Sequence, residues 1–322
     1  MEMALMAADG TLTSDVTDEQ VRTACGAVAP FWLDIVDMDA RGAALLTDAF
    51  KFHPLAVEDA EHFEQRPKHD DYDGFSHFVL YGANDEGTGS QEVHCFYAEP
   101  FLVTVRKIES KIFADMREHA AAWRHHADAS SIMLFYRIAD ALVDSYFPMM
   151  ARFDDDIDTI EEEILANPTE AQLKTLFAMK RQLVGLRKVI TPERDMFATV
   201  AVGSSVLPGM SEDAERYFRD LYDHLIRLSD LVDSYRDLLT SAVDTHLSNV
   251  SNRLNVVMKQ LAVIATVFLP LSFLTGFFGQ NFAWLVGRLT SPEAFVGFGI
   301  GTEVVVFALL MMLFRKRHWL SS

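Results

Sequence analysis

The hydrophobic pattern changes character twice along the chain. Over residues 1–129, short apolar runs alternate with polar breaks. FWLDIVD (31–37), SHFVLYGA (76–83) and EVHCFYAEPFLVTVRK (92–107) are rich in β-branched and aromatic residues with partial alternation, which predicts half-buried strands. NDEGTGS (84–90) reads as a turn-rich connection. Helical periodicity lies at 40–50 and 108–125. Residues 1–129 are therefore expected to form an α/β domain.

From residue 130 the pattern is helical. Residues 134–165 predict one long amphipathic segment broken by Asn167-Pro168. Residues 169–190 predict a second helix stopped by Thr191-Pro192, and the two are expected to pair as an antiparallel hairpin over 130–202. After a linker at 203–209, a very long helix starts near Ser211, with Glu212, Asp213 and Glu215 in its first turn, where they complement the helix dipole. Apolar residues then recur at Val243, Leu247, Val250, Leu254, Val257, Leu261, Ile264, Phe268 and Leu271, in steps of four and three, as in a coiled-coil seam. The expected helix covers 210–278, about 100 Å at 1.5 Å per residue. A helix of that length needs partners along it, so oligomerisation is expected.

The second change begins at residue 260. Residues 260–287 (QLAVIATVFLPLSFLTGFFGQNFAWLVG) are 28 consecutive residues without formal charge. About 20 apolar residues cross a hydrocarbon core roughly 30 Å thick. The polar tripeptide Gly279-Gln280-Asn281 interrupts the run and opens a loop, 279–293. A second apolar run covers 294–314, and a basic tail, 315–322, follows. The chain thus predicts a two-span membrane hairpin. Arg253 and Lys259 precede the first span, Arg315, Lys316 and Arg317 follow the second, and the loop holds only Arg288 as a base. The positive-inside rule then places both termini in the cytoplasm, in a cell (inner or plasma) membrane.

Composition narrows the function. The formal net charge of −19 argues against a nucleic-acid partner and suits a protein that draws cations by its field. Residues 1–15 have no basic start before an apolar core, so no signal peptide is expected. Cys25 and Cys95 form no CxxC motif, which fits a reducing compartment. No P-loop, nucleophile elbow or HExxH motif appears, and no enzyme activity is expected. Eight histidines (His53, His62, His69, His77, His94, His119, His125, His126) fall in the first region and are expected to be ordinary surface or partly buried residues. Asp154, Asp155, Asp156, Asp158, Glu161, Glu162 and Glu163 put seven carboxylates in ten residues. They suit a solvated helix face, or one that concentrates cations or meets a basic ring. Glu303 within the second span is either a hydrogen-bonded packing residue or a functional carboxylate. Gly297 and Gly301 give the small-residue spacing of close helix contact.

One hairpin cannot enclose water, so a pore needs several copies about an axis. If the first span lines it, one stripe faces inward: Asn255, Met258, Ala262, Ala265, Leu269, Ser272 and Gly276. Apolar positions such as Met258 and Leu269 can gate by dewetting. Asn281 from each copy would form a ring of amide oxygens at the outer mouth, able to bond a hydrated divalent ion without trapping it. On spacing alone, Gly279-Gln280-Asn281 could equally be a helix cap.

The segments FLPLSFLTGFFGQNF (268–282), RKRHWL (315–320), HPLAVEDAEHFEQRPK (53–68) and YRDLLTSAVDTHLSNVSNRLNVVMK (235–259) together resemble the CorA family of divalent cation transporters. The resemblance implies a homopentamer in a lipid bilayer, with an α/β funnel, two acidic helices, a pore-lining stalk helix and a peripheral second span. It implies a selectivity motif at Gly279, Gln280 and Asn281, and pore or gate positions at Asn255, Met258, Leu261, Leu269, Ser272 and Gly276. It implies a regulatory site in which Mg2+ bridges Asp59 and Asp220 of neighbouring subunits and holds the pore closed. It implies Mg2+ transport, with Co2+ or Ni2+ as further cargo. Three features depart from the family pattern: Gln280 stands where methionine is usual, Arg288 lies in the outer loop without an early acid, and Glu303 is extra. A ZntB-like branch shares the fold, varies the middle residue, and moves zinc with proton coupling. A cation sensor or scaffold with a non-conducting hairpin is a third reading.

Overall fold

A computed structural model describes residues 1–27, 29–119, 130–280, 283, 287, 291–317 and 319. The chain divides into two compact units, Met1–Val243 and Asp244–Ser322.

The first unit is built on a seven-stranded sheet in the order β2-β1-β3-β7-β6-β5-β4. The strands are β1 Glu2–Ala7, β2 Leu12–Ser14, β3 Phe31–Val36, β4 Lys68–Tyr72, β5 Phe75–Ala83, β6 Ser90–Ala98 and β7 Phe101–Arg106. All neighbours run antiparallel except β3 and β7. The stretch predicted as strand over 92–107 is two strands, reversed at Glu99-Pro100. The strands are covered on both faces rather than half-buried. Trp32, Cys95, Tyr97 and Leu102 enter one core, while their neighbours Leu33, Phe96 and Val103 enter the other. Apolar residues at both parities of a strand demand this double cover.

Three short helices, α1 Asp18–Cys25, α2 Ala40–Asp48 and α3 Pro54–Glu61, close one face through Val21, Leu45, Leu46, Ala56 and Val57. Their starts are written locally: Thr17 and Gln20 form a capping box, Asp39 caps α2, and His53 caps α3 with Pro54 at the first helical position. The other face is closed by α4 Lys111–Glu118, α5 Ser131–Asp144, α6 Tyr146–Ala166, α7 Glu170–Ala201 and the first part of α8 Glu212–Phe278. At Gly82 the sheet meets α5 so closely that a Cβ would lie 2.7 Å from Leu142 Cδ2.

Two helical expectations change. The segment 134–165 is two helices that meet at Ser145, whose hydroxyl accepts from the Ala83 amide and donates to the Leu142 carbonyl. The second helix runs through Pro192 to Ala201. Proline removes one helical hydrogen bond, but Ile190, Glu193, Met196, Phe197 and Val200 are all buried beyond that point or beside it, so packing outweighs the break. Helix α7 lies antiparallel along α8: Lys180 reaches Thr240, Arg187 reaches Asp233 and Arg194 reaches Ser229. The acidic run on α6 leaves its carboxylates at the surface while Phe153, Ile157, Ile160 and Ile164 turn inward.

Helix α8 is 67 residues long, close to the expected span, and passes Pro270 unbroken. Its C-terminal part belongs to the second unit, together with α9 Pro292–Lys316, which contains a π-helical turn at Phe295–Ile300. Both helices are long and apolar enough to cross a membrane.

Candidate functional site

Within the second unit, the continuous helix places Asn255, Met258, Ala262, Ala265, Leu269, Ser272 and Gly276 on one stripe by their three- and four-residue spacing. In the single chain the stripe has no cover: Met258 is 64% and Leu269 72% exposed. Leu261, on the adjacent seam, is also exposed, as are Leu254, Ile264 and Phe268. Helix α8 ends as the Gly279 amide donates to the Thr275 carbonyl. Gln280 follows, exposed. Asn281 and Arg288 lie outside the described residues.

Glu303 is not isolated. The Thr275 hydroxyl donates to Glu303 Oε1 at 2.7 Å and lies 2.9 Å from the Leu271 carbonyl. The carboxylate thus ties α9 to α8 one residue before Gly276, in the turn that leads to Gly279. The sequence offered Glu303 as packing residue or functional carboxylate; in the structure it accepts a hydrogen bond from Thr275.

The first unit holds two groups of residues able to grip a cation. In the first, Asp59, Asp70 and His77 present ligand atoms within 4.8 Å of one another. Lys68 sits among them, its Nζ 2.7 Å from Asp59 Oδ2 and 2.8 Å from Asp70 Oδ2. Burial works against the Lys68 charge, but the two carboxylates outweigh it and raise its pKa. In the second, Asp140, Asp144 and His224 come together, with Asp220 Oδ2 3.9 Å from His224 Nε2. Partial burial, then the neighbouring charge of Asp144, pushes Asp140 up to about 6. Asp59 belongs to the first group, while Asp220 is not a member of the second but lies beside its His224. Each group sets two carboxylates beside an imidazole, oxygen and nitrogen donors that a divalent ion could use.

Behind the first cluster runs a buried relay. His77 Nε2 lies 3.1 Å from His94 Nδ1, and His94 Nε2 lies 2.9 Å from Glu92 Oε1. Glu92 also accepts from the Glu64 and Gln65 amides and the Tyr81 hydroxyl. Burial opposes the Glu92 charge, but these donors, His94 first, hold its pKa below the usual value. His77 is fully buried, and burial, helped by His94, Lys68 and His69, pushes its pKa down to about 3, so the ring is neutral. His77 Nδ1 has no hydrogen-bond partner. The histidines were expected at the surface or partly buried; His77 and His94 are in the core. One signal was available: Asp73-Gly74 is a two-residue hairpin turn, with Gly74 at φ +87°, and it pairs Asp70 with His77. His125 and His126 lie outside the described residues.

An acidic α/β-and-helix unit joined to two candidate membrane helices defines a membrane protein with a large extramembrane part. The chain belongs to the CorA-like Mg2+ transporter protein family, whose model matches residues 29–316. It is 32% identical over 305 residues to the cobalt/magnesium transport protein CorA of Thermotoga maritima, covering 90% of this chain and 84% of that one. It is 31% identical over 188 residues to the zinc transport protein ZntB of Yersinia pseudotuberculosis, covering 57% and 54%. Its fold matches the complete structure of the CorA magnesium transporter from Methanocaldococcus jannaschii with a TM-score of 0.84, 19% identity and 99% coverage of both chains.

Proposed function

We propose that this protein is a homopentameric channel in the cell membrane that takes up Mg2+, with Co2+ or Ni2+ as further cargo. The observation that carries the reading is the uncovered, uncharged stripe from Asn255 to Gly276 on a helix that continues without a break toward Gly279-Gln280-Asn281. Five such helices about an axis would cover each seam and enclose a path. The stripe offers weakly polar positions at Asn255 and Ser272 and apolar constrictions at Met258 and Leu269, which can close by dewetting. Asn281, from each copy, supplies neutral oxygens to an ion that keeps its water.

In this reading both termini are cytoplasmic and cytosolic Mg2+ closes the pore by bridging Asp59 of one subunit to Asp220 of the next. Asp59 pairs with Lys68 and Asp220 lies beside His224 within one chain, and a bridge between chains would bring the two carboxylates together. Asp220 is free to take it, its side chain 61% exposed. Without the ion, facing carboxylates repel and the subunits are released to move. Flux of Mg2+ into liposomes tests the gating half: Asp59→Asn with Asp220→Asn should conduct at internal Mg2+ levels that silence the wild type. Equal closure of both proteins overturns it.

A zinc transporter with proton coupling is the second reading. It is favoured by the ZntB relative and by a carboxylate, Glu303, inside the second span.

A further inference from the structure

The buried relay ends on a nitrogen that nothing in the fold uses. An ionised Glu92 can only accept, so His94 Nε2–H donates to it. His77 Nε2 is taken up in the 3.1 Å contact with His94 Nδ1, whichever ring supplies the proton. That leaves His77 Nδ1 without a hydrogen-bond partner among the described residues, in a side chain with 0% exposure. A buried nitrogen without a partner costs free energy, so the position calls for an explanation. The same ring presents a ligand atom within 4.8 Å of the carboxylates of Asp59 and Asp70.

We propose that Asp59, Asp70 and His77 form a site within each subunit for a divalent transition cation, zinc or cobalt, and that Lys68 is its built-in competitor. One imidazole and two carboxylates form a ligand set that suits zinc or cobalt better than magnesium, which prefers oxygen alone. Closing from within 4.8 Å to the roughly 3.3 Å edge of a tetrahedral zinc shell asks only for rotation of two partly exposed carboxylates. Water completes the fourth position. The relay Glu92–His94–His77 is the outer support that holds a metal-binding imidazole in one orientation. Lys68 Nζ bonds both carboxylates, so it neutralises the pair when no metal is bound. Its side chain is 33% exposed and can swing into solvent when a metal arrives. The proposal concerns binding and does not rest on the transport reading.

The test uses the full chain in detergent. Zn2+ is titrated against a chromophoric chelator in excess Mg2+, and Co2+ is followed by its visible absorption. Wild type should retain zinc despite the magnesium. Lys68→Met should bind zinc about tenfold tighter, because a competitor occupying nine-tenths of the sites has gone. His77→Phe should bind at least about tenfold more weakly and lose the intense Co2+ bands, and His94→Gln should weaken binding in the same direction. If His77→Phe fails to fold, Lys68→Met decides alone: an affinity equal to wild type overturns the proposal. Wild-type zinc binding in a folded His77→Phe protein also overturns it.

Discussion

The Thr275 hydroxyl lies 2.7 Å from Glu303 Oε1, in a hydrogen bond that links α8 to α9. Its place beside Gly276 makes it a fastener for the end of the first span. An interhelical hydrogen bond in a membrane is worth about 0.6–2 kcal/mol. Glu303→Gln keeps a group that can bond the hydroxyl, so Mg2+ flux should stay within about twofold of wild type. Glu303→Ala should lower the thermal midpoint in detergent by an amount matching about 1 kcal/mol. Abolished flux in Glu303→Gln would give the carboxyl a chemical role and favour the zinc and proton reading.

Asp34 and Arg106 form an ion pair, each 1% exposed, at 2.9 Å across the parallel β3–β7 pair. Thr104 donates to Asp34, and Arg117 reaches it from α4. Removing Asp34 leaves the buried Arg106 guanidinium with Glu109 as its ion-pair partner. Asp34→Ala should cost about 3–5 kcal/mol, read by thermal or denaturant unfolding. Asp34→Leu combined with Arg106→Met should cost less than the sum of the two single changes.

Glu193 is buried on α7, where one carboxyl oxygen accepts from the Tyr81 amide and the other has no partner. Burial raises its pKa well above the ordinary 4.5, against the smaller effect of that amide. The folded state therefore holds a proton that the unfolded chain releases near 4.5. The associated stability is full below that pH and is lost as pH rises toward the folded value, at up to about 1.4 kcal/mol per pH unit. Glu193→Gln should remove this slope and raise stability at neutral pH. A pH profile of unfolding identical to wild type would show that Glu193 is ionised in the fold.

Much of this was legible in local chemistry. The strands at 31–37 and 76–83, the turn at 84–90 and the long helix from Ser211 follow from apolar period and punctuation. Pro192 misled because a stop signal is local, whereas Ile190, Met196, Phe197 and Val200 draw their stability from packing across the unit. The pairing of His77 with His94 was invisible for the same reason. It depends on the register of β5 against β6, and seventeen residues of sequence separation carry no trace of a ring nitrogen at 3.1 Å. The family was readable from the segments around residues 53–68 and 268–282, while Asn281 lies outside the described residues.

The central claim is passage of divalent cations along the first span, with magnesium as cargo. The most direct measurement is Mg2+ entry into liposomes carrying the full-length protein, beside Asn281→Ala and empty vesicles, with Zn2+ uptake run in parallel. The expected result is Mg2+ entry well above the empty-vesicle rate, at least about tenfold reduced in Asn281→Ala, and independent of an imposed pH gradient. Mg2+ entry no faster than in empty vesicles, with zinc entering only when a proton gradient is present, would contradict it.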